Sequence, residues 1–137
     1  MRLEELLIDE NSTIRTAVEQ LERVRCKVIY VIRKGKLIAS ISDGDVRRYV
    51  LHEKNASLKL EYIANYKPTF LLRYEKERID EIFSQSEVYS VPIVNYNHEV
   101  VEVIFRDGRR IRKKYSLKCP VVMMAGGKGT RLYRSRV

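Results

Sequence analysis

Apolar residues at Ile14, Ala17, Val18, Leu21 and Val24 recur at the three-and-four spacing of one helical face, behind the capping candidates Asn11 and Ser12. A continuous apolar run follows, Val28-Ile29-Tyr30-Val31-Ile32, which predicts a strand covered on both faces. Arg33-Lys34-Gly35-Lys36 supplies a turn, and Leu37-Ile38-Ala39-Ser40-Ile41 a return strand. Ser42-Asp43-Gly44-Asp45 then opens a short helix to about Leu51, with Val46, Tyr49 and Val50 facing inward. The order recurs downstream. Thr69-Phe70-Leu71-Leu72 predicts a short strand, and Ile79, Ile82 and Phe83 a helix. Val91-Pro92-Ile93-Val94 forms a strand, Asn95-Tyr96-Asn97-His98 a turn, and Val100 to Phe105 the return. Leu58 to Asn65, ahead of Lys67-Pro68, reads as a connecting helix.

The two halves hold a common register. Tyr30 to Ala39 spans nine residues, as does Pro92 to Val101, and Asp45 and Asp107 lie 62 apart. A single β-α-β-β-α unit leaves one face of its sheet bare. Two such units packed sheet to sheet bury both faces in one core with pseudo-two-fold symmetry, leaving clefts between them. The expected fold is α+β, with repeat 1 at residues 1–57 and repeat 2 at 58–107. A basic linker at 108–119 and the stub of a further domain at 120–137 follow.

Charge sharpens this division. The segment from Arg106 to Val137 carries eleven of the 27 basic residues and a single acid, Asp107. Residues 1–105 are left with 16 basic and 17 acidic groups, so the net charge of +9 resides in the linker and tail. The run Arg109-Arg110-Ile111-Arg112-Lys113-Lys114 reads as a solvated linker. No stacking motif or recognition-helix pattern accompanies it, which counts against nucleic acid as a partner. No apolar run reaches membrane-spanning length and Met1-Arg2-Leu3-Glu4-Glu5 does not open a secretory signal, so the expectation is a cytoplasmic protein without a membrane partner. Cys26 and Cys119 suggest neither a disulfide framework nor a zinc site; Cys26 is expected to pack beside the first strand. His52 and His98 have no partners at metal or catalytic spacing and are expected at the surface. No nucleophile–base or acid pair stands out, so no catalytic or metal residue is assigned.

Ala39-Ser40-Ile41-Ser42-Asp43-Gly44-Asp45, at the end of the first return strand, resembles the Gly-x-apolar-Thr/Ser-x-x-Asp signature of CBS domains, with alanine in the glycine place. Val101-Glu102-Val103-Ile104-Phe105-Arg106-Asp107 resembles it more loosely, with Ile104 where the hydroxyl would stand. The likeness to a tandem CBS pair covers residues 1–107. It implies an adenosyl ligand such as AMP, ADP, ATP or S-adenosylmethionine, held by Ser42 and Asp45, with Asp107 as the weaker counterpart. Tyr30, in a position often held by proline, could lie against a base, while Lys67 and Thr69 could reach a phosphate. It also implies a homodimer. A carboxylate can accept both ribose hydroxyls, and a hydroxyl at a helix start can join the amides in holding a phosphate. Ser42-x-x-Asp45 is equally a capping box, and the same residues fit both readings.

The run Val121-Val122-Met123-Met124-Ala125 leads into Gly126-Gly127-Lys128-Gly129-Thr130-Arg131-Leu132, a strand followed by a glycine-rich loop. Gly129 stands where a Walker loop needs Ser or Thr. The segment is similar to the N-terminal motif of sugar-phosphate nucleotidyltransferases, which join a nucleoside triphosphate to a sugar 1-phosphate with magnesium. By that likeness Gly126, Gly127, Lys128, Gly129 and Arg131 are a nucleotide-binding remnant. With five residues after Leu132 the chain reads as catalytically incomplete, a regulatory module ahead of a missing transferase domain.

Overall fold

A computed structural model describes residues 2–52 and 59–114. Among these residues seven strands form two sheets. The first has the order β1-β2-β3, from Leu7–Asp9, Val28–Arg33 and Lys36–Ser42. The second has the order β4-β5-β6-β7, from Leu71–Leu72, Ser90–Val94, Val100–Phe105 and Arg110–Arg112. In each sheet the first strand runs parallel to the second and the second antiparallel to the third. Helix α1 (Ile14–Val24) links β1 to β2, α2 (Asp43–His52) follows β3, and α3 (Ile79–Gln85) links β4 to β5. This is the expected α+β arrangement of two repeats.

The core lies between the sheets. Ile29, Tyr30, Val31, Ala39 and Ile41 of the first sheet share one buried cluster with Val94, Val103 and Phe105 of the second. Each large apolar side chain removed from water there contributes about 1.5–3 kcal/mol. Ile14, Ala17, Leu21 and Val24, the face read from helical spacing, close the same cluster from the α1 side. Ile79, Ile82 and Phe83 of α3 cover the opposite face of the second sheet against Val91, Ile93, Val101 and Ile104. The tight β2–β3 turn places Lys34 (φ 52°) and Gly35 (φ 83°) in the left-handed region that a two-residue hairpin requires.

Several local expectations change. Thr13 caps α1, in place of Asn11 or Ser12, with its Oγ1 accepting the Thr16 N–H at 3.4 Å. β1 has too few residues for periodicity to reveal it. The strand expected from Thr69 shortens to Leu71–Leu72. Of the connecting helix expected over Leu58 to Asn65, a 3-10 turn at Leu60–Tyr62 forms; Leu58 itself lies outside the described residues. Part of the expected linker is a strand. Arg110-Ile111-Arg112 pairs with β6, its alternation turning Ile111 toward the shared core. Gly108 (φ 96°) makes that reversal possible, so β6 turns back into β7 where a helix follows β3.

Candidate functional site

β3 ends at Ser42 and α2 begins at Asp43, so the Ser-x-x-Asp signature straddles a strand-to-helix junction. The capping box forms in full. The Asp45 N–H donates to Ser42 Oγ at 3.1 Å, and the Ser42 N–H donates to Asp45 Oδ2 at 3.0 Å. Asp45 Oδ1 also accepts from the Arg48 guanidinium. The Asp43 N–H donates to the Lys27 carbonyl at 2.9 Å, fixing the helix start against the entry to β2. With its oxygen accepting the Asp45 amide, the Ser42 hydroxyl keeps its proton for a further acceptor, and the carboxylate keeps unused lone pairs.

These residues open onto a cleft of about 460 Å³ built from both repeats. Tyr30 and Ser42 line it from the first repeat, and Thr69, Val88, Tyr89 and Ser90 from the second. Tyr30 forms the floor with its hydroxyl 2.6 Å from Ser90 Oγ, so the phenol joins the repeats and does not stand free to stack on a base. Burial pushes this phenol well above its ordinary pKa and keeps it neutral. Asn65 lines the cleft with its backbone doubly bonded to Ser40 at 2.8 and 2.9 Å, which carries Thr69 to the rim. Lys67 does not line the cleft; its amide donates to Asn65 Oδ1 at 3.0 Å and its side chain is exposed.

Lys27, Arg47, Glu87 and Tyr89 also line the cleft, and none stood out in the sequence. The signal was positional. Lys27 and Tyr89 are each the residue directly before the first strand of their repeat's hairpin, 62 apart, and the Lys27 ammonium sits 5.4 Å over the Tyr89 ring. The cationic lining residues are Lys27 and Arg47; the acidic ones are Asp43, Asp45 and Glu87.

Strand pairing also tests the repeat register. The bulge in β2 falls between Val31 and Ile32 and that in β5 between Ile93 and Val94, preserving the spacing of 62. Across the hairpins, however, Ser42 faces Val28 while Phe105 faces Ser90, a spacing of 63. Phe105, not Ile104, is the counterpart of Ser42, and Gly108, not Asp107, that of Asp45. Phe105 is 1% exposed, with the Arg109 guanidinium 4.7 Å from its ring centroid. Asp107 sits in the β6–β7 turn, paired with Arg109 at 2.9 Å, outside the residues lining the Ser42 cleft. The Arg109 N–H donates to it, holding its carboxyl below the usual range.

The other singled-out residues are dispersed. Cys26 is buried, and burial raises its thiol pKa. His98 lies in the β5–β6 turn with its ring 4.9 Å from Phe70. The His52 side chain, Cys119 and the loop residues Gly126, Gly127, Lys128, Gly129 and Arg131 lie outside the described residues. Among the described residues no group of three or more His, Cys, Asp or Glu could hold a metal ion, and no helix is long and apolar enough to cross a membrane.

No family model matches the chain, and no curated protein matches it. Solved structures do. A CBS domain protein from Pyrobaculum aerophilum, complexed with AMP, superimposes with a TM-score of 0.60 at 23% identity, over 77% of this chain and 87% of that one. The fold is that of CBS domain proteins. The Listeria monocytogenes CbpB protein in complex with c-di-AMP matches this chain with a TM-score of 0.64 at 19% identity, over 78% of this chain and 85% of that one. Staphylococcus aureus OpuCA matches this chain with a TM-score of 0.62 at 18% identity, over 74% of this chain and 85% of that one.

Proposed function

We propose that this CBS pair is a regulatory module that binds an adenosyl ligand at Ser42 and Asp45 and controls a sugar-phosphate nucleotidyltransferase. The observation carrying the ligand reading is the inter-repeat cleft, into which one signature presents both a hydroxyl and a carboxylate. Neighbours of the fold complexed with AMP and with c-di-AMP add support. The transferase reading rests on the likeness of residues 125–132 to that family's opening motif.

Asp45 accepts the ribose hydroxyls, and Ser42 with the first amides of α2 faces the phosphate. Val28 and Val88 offer apolar surface to the base. Three carboxylates against two cations favour a ligand with one phosphate over a triphosphate. Regulation follows as linkage. A ligand that prefers one arrangement of the repeats, or of a homodimer of pairs, shifts the attached transferase domain in the same direction.

Isothermal titration with AMP, ADP, ATP and S-adenosylmethionine tests the site, using Asp45→Asn beside the parent. Asparagine keeps an oxygen for the Ser42 amide, so the cap survives while the carboxylate is lost. The expected result is AMP binding weakened about tenfold in the variant, equivalent to about 1.4 kcal/mol. No heat with any of the four would leave Ser42 and Asp45 as a cap within a ligand-free scaffold. For the regulatory role, saturating AMP should change the rate of a transferase carrying this module; an unchanged rate would refute it.

A further inference from the structure

Among the described residues β7 is the last strand of the second sheet. The Phe105 N–H donates to the Arg109 carbonyl at 2.8 Å and the Lys113 N–H to the Val101 carbonyl at 2.9 Å, with Ile111 facing Val103 between them. Bonded pairs alternate with unbonded pairs along an antiparallel ladder, so the N–H and C=O groups of Arg110 and Arg112 point away from β6. A groove of about 710 Å³ is lined by residues 110–114 on one wall and by Arg2, Leu3 and Glu4 on the other. Side chains of consecutive strand residues alternate in direction. A groove touching all of them therefore follows the strand's edge, not one of its faces. Arg2, Arg110, Arg112, Lys113 and Lys114 make it cationic, against the single carboxylate of Glu4.

We propose that this edge captures an extended, acidic segment of a partner protein as an added strand. The edge offers alternating donors and acceptors, which another strand satisfies in full. A polyphosphate would instead meet the carbonyls of Arg110 and Arg112. Two cationic edges repel, which disfavours a second copy. Residues 115–137 carry Lys118, Lys128, Arg131, Arg134 and Arg136 and no acid, so the chain's own tail is repelled as well. The cationic excess is only partly neutralised from within. Glu102, beneath β7, is shared by Lys76, Arg110 and Arg112, so three cations meet one carboxylate.

The test uses fluorescence anisotropy of a labelled Glu-Val-Glu-Val-Glu-Val-Glu peptide with the full chain at low salt. Arg112→Pro removes an outward N–H while sparing the ladder bonds, and Arg112→Gln removes the charge while keeping that N–H. Binding should weaken at least about tenfold in Arg112→Pro and about threefold in Arg112→Gln. The same peptide N-methylated on alternate amides should not bind. Equal binding of the N-methylated peptide, or inorganic triphosphate binding as tightly as the peptide and undiminished in Arg112→Pro, would reduce the groove to a plain anion site and overturn the proposal. Dimerisation of the chain abolished by Arg112→Pro would assign the edge to a second copy and overturn it equally. Should Arg112→Pro fail to fold, the contrast between the two peptides decides.

Discussion

Tyr30 and Ser90 come from different repeats, and their hydroxyl oxygens meet at 2.6 Å beneath the cleft. Tyr30 is 2% exposed and Ser90 5%, so neither has ready access to bulk water. Tyr30→Phe keeps the ring and its packing but strands the Ser90 hydroxyl; Ser90→Ala strands the phenol. Leaving one buried hydroxyl unpaired costs about 1–3 kcal/mol. The double variant leaves no orphan, so it should lose no more than one single variant alone. The expected coupling is about 1–3 kcal/mol, measured by urea unfolding of the four proteins followed by circular dichroism. At this size 1 kcal/mol moves the melting temperature by about 3–5 °C, so the effect is readily resolved. Strictly additive losses would refute the reasoning. They would mean that water in the cleft satisfies each hydroxyl separately and that the bond does not join the repeats.

Other outcomes follow from the same structure. Glu102→Gln should destabilise by about 2 kcal/mol in urea unfolding, because the 6% exposed carboxylate serves Lys76, Arg110 and Arg112; an unchanged midpoint would mean that these cations are equally well placed in water. Burial raises the Tyr30 phenol above its ordinary 10.0 and the Cys26 thiol above 9.0. The unfolded chain ionises first, so their stabilising contribution is complete below those values and is lost as pH rises past them. Melting temperature should therefore fall above about pH 9, less steeply in Tyr30→Phe; a flat profile to about pH 11 would contradict this. Titration of AMP should saturate at one molecule per chain, and two equivalent sites would contradict the loss of hydroxyl and carboxylate at Phe105 and Gly108.

The repeat and its sheet-to-sheet packing were legible because buried strands leave continuous apolar runs and α1 a clear helical face. Ser42 and Asp45 were legible because a capping box and a ligand signature require the same residue types at the same spacing. Tyr30 and Thr69 also reach the cleft, but Lys27, Arg47, Glu87 and Tyr89 were not legible. Lys27, Glu87 and Tyr89 matter because tertiary packing brings the entrance of one repeat's hairpin beside the other's, and no local pattern encodes that. β7 carried its own signal in the alternation Arg110-Ile111-Arg112, but at three residues it was outweighed by the charge of the surrounding run. The equivalence of Asp107 with Asp45 rested on counting through a hairpin, where a single added residue is invisible without the pairing.

That residue has consequences beyond register. Four residues separate the paired Ile32 and Leu37, and five separate their counterparts Val94 and Val100. The return strand of the second repeat therefore runs one position ahead of a simple translation of the first. A short polar residue at the end of β3 leaves the first cleft open above Tyr30, whereas a buried phenylalanine occupies the matching place on β6. Gly108, where Asp45 would recur, turns the chain back, and Arg109 then lies over Phe105. The turn also gives the second sheet its extra strand, so the position that holds α2 in one repeat provides the cationic edge in the other. The two repeats thus keep a common core while their equivalent ends diverge chemically, one toward a polar cleft lined by Ser42 and Asp45, the other toward a cationic strand edge.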